Sequence, residues 1–146
     1  GDSAVALRRL KVRARPWGYC VSASSKTAVE RLRLQGLQVL RVQEPSAMLG
    51  DLYRETSRSE GARQDVRGSI SDAAPIVKTE VALVRGVIDA PSGSFYLPLS
   101  QPLANLAIAA LEPDTQSSYL ANQLLEGLAS SARVMSEPSL KAEELP

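Results

Sequence analysis

The chain has 146 residues, 44% of them apolar and 23% charged, with 17 Lys and Arg, 16 Asp and Glu, one Cys and no His. The absence of histidine excludes Ser-His and Cys-His nucleophile pairs and the commonest neutral metal ligand. A single cysteine excludes an internal disulfide framework and a cysteine-rich zinc site, and no apolar run is long enough for a transmembrane helix.

Charge divides unevenly between the two halves of the sequence. Residues 1–67 carry 13 Lys and Arg against 7 Asp and Glu, whereas residues 68–146 carry 4 against 9. A basic half can contact nucleic acid or a membrane surface. Here the basic side chains from Arg8 to Arg15 alternate with apolar ones, as on the exposed face of a half-buried strand. We therefore expect no nucleic-acid partner and no membrane span.

The first half of the chain predicts a β-α-β unit at about residues 7–43. Serines ahead of the helix can cap its N-terminus, and Gly36 stands where a C′ glycine belongs. The predicted elements are, in chain order, a strand over residues 7–15, a short strand over 19–21, a helix over 25–35 and a strand over 37–42.

The second half predicts strands followed by helices. Alternating apolar and charged residues indicate the clearest strand, and apolar residues at helical spacing indicate a core-facing helix that Pro113 ends. The predicted elements are a strand over residues 49–56, for which a helical turn is the alternative, an exposed loop or hairpin connection over 57–71, a strand over 74–84, a turn over 90–93, a strand over 95–99, a helix over 101–111 and a last helix that begins at 117 or 118 and runs to 128.

Together these elements predict one α+β domain over residues 1–129, with the β-α-β unit first and further strands and helices over 74–128. We expect a mixed or mostly antiparallel sheet with two or three helices, one of which, over 101–111, packs on a sheet face. Residues 130–146 are polar and contain two prolines. This composition predicts a weakly structured C-terminal tail.

No combination of residues predicts a catalytic site or a metal site in this chain. Carboxylates and Cys20 are the available ligands, and Glu112 and Asp114 flank a proline in what reads as a solvated chain reversal. We expect Cys20 to be a small buried hydrophobe. An enzyme that uses only carboxylates would need two buried acidic side chains facing one cleft, and the sequence alone does not bring such a pair together.

Aromatic residues supply the candidate interaction surface of the chain, namely Trp17, Tyr19, Phe95 and Tyr96. Aromatic side chains offer a large contact area for a ligand or a partner chain. The alternative is that Trp17 and Tyr19 cover the open edge of the hydrophobic core. Alanine substitution separates the two, because a core residue is needed for folding and a surface residue for binding.

The stretch from Ala90 to Tyr119 contains a Pro-Gly turn, an aromatic strand, the run Gln101-Pro102-Leu103-Ala104 and the stop Leu111-Glu112-Pro113. In these features it resembles the C-terminal region of large bacterial zinc carboxypeptidases, the carboxypeptidase A-like metallopeptidases. The segment Arg15-Pro16-Trp17-Gly18-Tyr19, with the helix and Gly36 that follow it, looks like the preceding part of that region. The resemblance covers roughly residues 10–125.

The resemblance implies a parent protein that hydrolyses peptides with zinc held by two His and one Glu of a separate catalytic domain. None of those residues can be assigned here, because the chain has no histidine. We therefore expect a non-catalytic accessory domain without its own cofactor, whose partner is the missing catalytic domain of the same polypeptide, in a periplasmic or secreted protein. The isolated chain would expose an apolar patch and could form a homo-oligomer. The alternative is an independent peptide-, glycan- or protein-binding module.

Overall fold

A computed structural model describes residues 13–61, 76–113, 118–119 and 127–146 of the chain. The strands are β1 Gly18–Val21, β2 Leu40–Val42, β3 Ser46–Gly61, β4 Ile76–Ala90, β5 Phe95–Pro98, β6 Ser131–Val134 and β7 Ala142–Glu144. They form one sheet in the order β4-β3-β6-β1-β5-β2-β7, and the neighbours pair antiparallel. The predicted α+β class with a mostly antiparallel sheet is confirmed.

Two α-helices accompany the sheet in the described residues, α1 over Lys26–Leu34 and α2 over Ala104–Leu111. Gly36 has a φ of 102°, which confirms the predicted C′ glycine after α1. Pro113 follows α2 as predicted, because its ring cannot continue a helix. In the described part of the chain, neither helix is long and apolar enough to cross a bilayer.

The β-α-β unit differs from the simple form that the sequence predicts. β1 and β2 run in the same direction on either side of α1 in sequence, but β5 lies between them and pairs antiparallel with both. The unit is therefore split by a strand from the second half of the chain. Residues 13–16 are not a strand, and the rest of the predicted strand over 7–15 lies outside the described residues.

A long hairpin of β3 and β4 extends beyond the predicted strands. β3 continues to Gly61, where the sequence predicted an exposed connection from residue 57 onward, so that prediction was wrong as far as residue 61. Residues 57–60 are all polar, so the sequence shows no alternation there, whereas pairing with β4 satisfies the backbone of this stretch. The predicted last helix falls mostly outside the described residues, and Leu128–Ser130 forms a turn of 3₁₀ helix.

The C-terminal stretch contains two strands where the sequence predicted a weakly structured tail. β6 is buried throughout and lies between β3 and β1, near the middle of the sheet. β7 pairs with β2 at the other end. Short strands of small and polar residues give little sequence signal, and their place in the sheet depends on partners far away in the chain.

Apolar side chains form two buried clusters that follow the alternation of the strands. One cluster contains Tyr19 and Val21 of β1 together with buried residues of β5, α1 and α2. The other contains Cys20 of β1 together with residues of β2, β3, β4, β5 and β6. Because successive side chains of a strand point to opposite faces, both faces of the central sheet are buried.

Candidate functional site

A surface cleft of about 520 Å³, which we call the Trp17 cleft, opens beside β1 and β5. Its walls combine two aromatic side chains, three prolines and two charged residues. The lining residues are Arg15, Pro16, Trp17, Tyr96, Pro98, Leu99, Ser100, Glu137 and Pro138. Trp17 is 52% exposed, whereas Tyr96 is buried except for the part that reaches the cleft. The cleft is therefore apolar at its walls and carries one positive and one negative side chain.

One wall of the cleft is formed by residues 13–17, the 13–17 segment, which leads into β1. The backbone N–H of Trp17 donates to the Val134 carbonyl at 2.8 Å, and the backbone carbonyl of Trp17 accepts from the Leu99 N–H at 3.0 Å. The Arg15 guanidinium donates to the Leu99 carbonyl at 3.1 Å. These bonds tie the segment to β6 on one side and to the end of β5 on the other, so the wall is held by the sheet.

The opposite wall depends on a glycine. A Cβ atom at Gly18 would lie 2.5 Å from the Tyr96 hydroxyl oxygen and 2.5 Å from the Leu97 carbonyl oxygen. Only a residue without a side chain lets the Tyr96 ring lie across β1 and reach the cleft. Burial raises the pKa of Tyr96 to about 12, so its hydroxyl keeps its proton at neutral pH and can act as a donor.

Behind the 13–17 segment lies a buried group of charged and hydroxyl side chains centred on Glu112, the residue after α2. One carboxylate oxygen accepts from Arg13 at 2.8 Å and lies 3.6 Å from the Arg133 guanidinium. The other oxygen accepts from the Tyr19 hydroxyl at 2.5 Å and from the Tyr53 hydroxyl at 3.2 Å. Glu112 is 6% exposed and Arg133 is 1% exposed, so these charges neutralise each other away from solvent.

This Glu112 cluster also anchors the 13–17 segment. Arg13 belongs to the segment itself, and the Arg133 guanidinium donates to the Ala14 carbonyl. Burial, and next the negative charge of Glu112, raise the pKa of both Tyr19 and Tyr53 well above the ordinary tyrosine value. The two hydroxyls therefore remain donors to the carboxylate. The cluster positions chain segments, and both of its carboxylate oxygens are engaged as acceptors.

Two residues of the cluster lie in a row of directly opposite residues that runs across β1, β6, β3 and β4. Tyr19 of β1 is opposite Arg133 of β6, and Arg133 is opposite Asp51 of β3. Asp51 is in turn opposite Arg85 of β4 and accepts from its Nε at 2.8 Å. Asp51 and Glu112 are both buried, but neither lines the Trp17 cleft.

The four aromatic residues singled out from the sequence divide into two groups. Trp17 and Tyr96 line the same cleft. Tyr19 and Phe95 are buried in the apolar cluster shared with the helices. Cys20 is buried and lies at a smaller cavity of about 250 Å³, and burial raises the pKa of its thiol to about 12.

The sequence did not reveal the Glu112 cluster, although Tyr19 was among the candidate residues for a different role. It assigned Glu112 to a solvated chain reversal, and that assignment was wrong because the side chain is buried among two arginines and two tyrosines. A glutamate between a helix end and a proline is commonly exposed, and no local pattern reports that four distant segments meet there. Among the described residues, no group of three or more His, Cys, Asp or Glu could hold a metal ion.

Comparisons with protein-family models, curated proteins and solved structures found no significant match to this chain. The resemblance to the C-terminal region of zinc carboxypeptidases therefore stays a prediction.

Proposed function

We propose that the chain is a non-catalytic binding domain whose ligand-binding site is the Trp17 cleft. The observation that carries this proposal is the half-exposed indole of Trp17 at the wall of a cleft that contains a second aromatic ring. Covering a large apolar side chain removes it from water and favours binding, at about 25 cal/mol per Å² of apolar surface. Tryptophan and tyrosine are also the residues that most often dominate binding energies.

The cleft suits this role because its walls are held before any ligand arrives. The backbone bonds of Trp17 to β6 and to Leu99, and the anchoring of residues 13 and 14 by the Glu112 cluster, hold the backbone that carries the indole. A preformed site costs less conformational entropy on binding than a mobile one.

Replacing Trp17 by alanine tests the proposal. We expect Trp17→Ala to retain its free energy of unfolding to within about 1 kcal/mol, since half of the side chain is already in water. We expect it to lose ligand binding measured by isothermal titration calorimetry against a panel of short peptides and oligosaccharides. Leu34→Ala is the matched control, because Leu34 is an exposed apolar residue on α1 away from the cleft. A ligand bound equally by the wild type and Trp17→Ala would contradict the proposed site.

A second candidate function, an accessory domain that packs on a catalytic domain, is favoured by the exposed apolar residues of the β3–β4 hairpin. Leu49 is opposite Val87 and Leu52 is opposite Val84, and all four are exposed, with Val87 reaching 63%. β4 also ends the sheet order, so its outer edge has no strand partner in the described residues. We infer that α2 packs on the face of the sheet that carries Tyr19, because both belong to the same apolar cluster. The exposed side chains of the hairpin then remain available to a partner.

The accessory role is tested on the gene and on the isolated chain. The reading frame upstream should encode a zinc-binding catalytic domain with an H-x-x-E motif, where the zinc cofactor would reside. The isolated chain should self-associate through its uncovered hairpin in sedimentation measurements, and Val87→Asp should make it monomeric. An upstream frame without a catalytic domain would remove this second candidate and leave the binding domain.

A further inference from the structure

We propose that the ligand of the Trp17 cleft is an extended, proline-containing peptide segment in the polyproline II conformation; this inference rests on the proposed binding function. The cleft is lined by the half-exposed indole of Trp17, by the accessible part of the otherwise buried Tyr96, and by Pro16, Pro98 and Pro138. Aromatic-lined grooves are the surfaces on which polyproline II helices dock, because proline rings pack flat against them. The peptide is already extended, so it loses little conformational freedom.

Hydrogen-bond chemistry of the cleft points to the same ligand. A polyproline II segment has no internal hydrogen bonds, so its carbonyl groups need donors from the protein. The Tyr96 hydroxyl and the Trp17 indole N–H make no hydrogen bond with another described residue, and both can only reach a partner in the cleft or in solvent. These two donors can be taken up by backbone carbonyls of an extended chain that lies in the cleft.

The charged residues of the cleft indicate what flanks the proline segment. Arg15 and Glu137 both line the cleft, and neither forms an ion pair with another described residue. A peptide with an acidic residue at one end of its prolines and a basic residue at the other would pair with both. A sugar fits less well, because its hydroxyls need several closely spaced donors and acceptors and much of the wall consists of prolines, which have no side-chain donor.

The test uses the fluorescence of Trp17, which is the single tryptophan of the chain. The probe is the blocked peptide Glu-Pro-Pro-Ala-Pro-Lys, and the matched peptide has alanine at each proline. We expect the proline peptide to shift the emission of Trp17 and to bind at least about tenfold more tightly than the alanine peptide, because the latter must be ordered on binding. A cello-oligosaccharide and a chito-oligosaccharide form the glycan arm of the experiment.

Protein variants locate the peptide in the cleft. Tyr96→Phe keeps the ring and removes the donor, and we expect it to weaken binding about three- to tenfold. Arg15→Ala should weaken binding of the peptide that contains Glu. It should not change the binding of a variant peptide in which Gln replaces Glu. Arg31→Ala, an exposed arginine of α1, is the matched control for the loss of a positive charge and should bind as the wild type does.

The possible outcomes separate this inference from the function on which it rests. Equal binding of the proline and alanine peptides, or no effect of Tyr96→Phe, would overturn the polyproline ligand. An oligosaccharide that binds through Trp17 while the peptides do not would also overturn it and would leave the binding domain intact. Failure of every peptide and oligosaccharide to change the Trp17 emission would overturn both proposals.

Discussion

Glu112 joins more segments than any other side chain described here. Its carboxylate connects the end of α2 to Arg13 of the 13–17 segment, to Tyr19 of β1, to Tyr53 of β3 and to Arg133 of β6. A buried charge is tolerated when its partners compensate for the lost hydration. Removing the carboxylate would leave the Arg133 charge without its partner in a buried position, so the residue acts as the centre of a structural network.

The substitution Glu112→Gln should therefore destabilise the protein strongly. We expect a loss of about 3 kcal/mol in the free energy of unfolding, because breaking a buried ion pair leaves the opposite charge buried without its partner. Chemical denaturation measures the effect. The matched control is Glu30→Gln, which removes the carboxylate from a partly exposed pair with Arg33 and should cost no more than about 1 kcal/mol. Equal losses in the two variants would contradict the structural role of the cluster.

At the scale of elements, the close approach of β6 to β3 determines how the hairpin joins the central sheet. The two strands pair only through Gly50 opposite Val134 and Asp51 opposite Arg133. A Cβ atom at Gly50 would lie 2.1 Å from the Arg133 carbonyl oxygen. Backbone atoms cannot move aside without breaking the pairing, so the absence of a side chain at Gly50 is what allows β3 and β6 to meet.

Adding one methyl group tests this junction. Gly50→Ala should lower the free energy of unfolding by about 2 kcal/mol or more, since it overpacks a backbone contact. Gly86→Ala is the matched control, because Gly86 is opposite Gly50 in the hairpin and its Cβ would meet only the side-chain end of Leu52, at 3.3 Å. Leu52 is partly exposed and can shift, so we expect a change within about 1 kcal/mol. Thermal unfolding of both variants gives the comparison, and an unaffected Gly50→Ala would be inconsistent with the described β3–β6 contact.

At the scale of the whole molecule, the four tyrosines report on the integrity of the fold. Tyr19, Tyr53, Tyr96 and Tyr119 are all the tyrosines of the chain, and burial is the first cause that raises the pKa of each. They belong to different strands and to the segment after α2, so their hydroxyls sample both faces of the sheet. Their protonated form is the one that the folded state favours.

The folded protein should consequently lose stability in alkali. Unfolded tyrosine ionises near pH 10, whereas the folded pKa of Tyr96 is about 12 and those of the other three are raised. Above about pH 10 the unfolded state binds fewer protons than the folded state, so the free energy of unfolding falls as pH rises. We expect little tyrosinate absorbance at pH ~10.5. At higher pH, the tyrosinate absorbance should rise together with unfolding. Four independent ionisations near pH 10 without unfolding would show that the hydroxyls are exposed.

The parts of the fold that could be predicted from the sequence are those with a strong local pattern. α1 and its C′ glycine, β5 after its Pro-Gly turn, and the end of α2 before Pro113 follow the spacing of apolar residues and the special backbone of Gly and Pro. The hairpin beyond residue 57 and the strands after residue 130 were missed. Their polar or short segments become strands only because distant strands pair with them.

The sequence identifies Trp17 and Tyr96 as candidate residues of the cleft, but it does not show that they lie close together. The residues that bring them together are Gly18, which leaves room for the Tyr96 ring, and the Glu112 cluster, which anchors the 13–17 segment. Tyr19 and Phe95 have the same local character as Trp17 and Tyr96, yet they belong to the buried apolar cluster that also contains residues of α1 and α2. Tyr96 is buried as well, so strand parity and the position of β5 in the sheet decide which of the buried aromatic side chains reaches the cleft.

The sequence by itself determined the class of the domain, the absence of histidine-based chemistry and the positions of several helices and strands. These follow from composition and from periodicities of two and 3.6 residues, which each segment expresses on its own. The tertiary structure decided the strand order, the split β-α-β unit, the burial of Glu112 and the Trp17 cleft. Those features require contacts between residues such as Tyr19 and Glu112, 93 positions apart in the chain. Their energies come from desolvation and pairing across the folded molecule, to which no local pattern is sensitive.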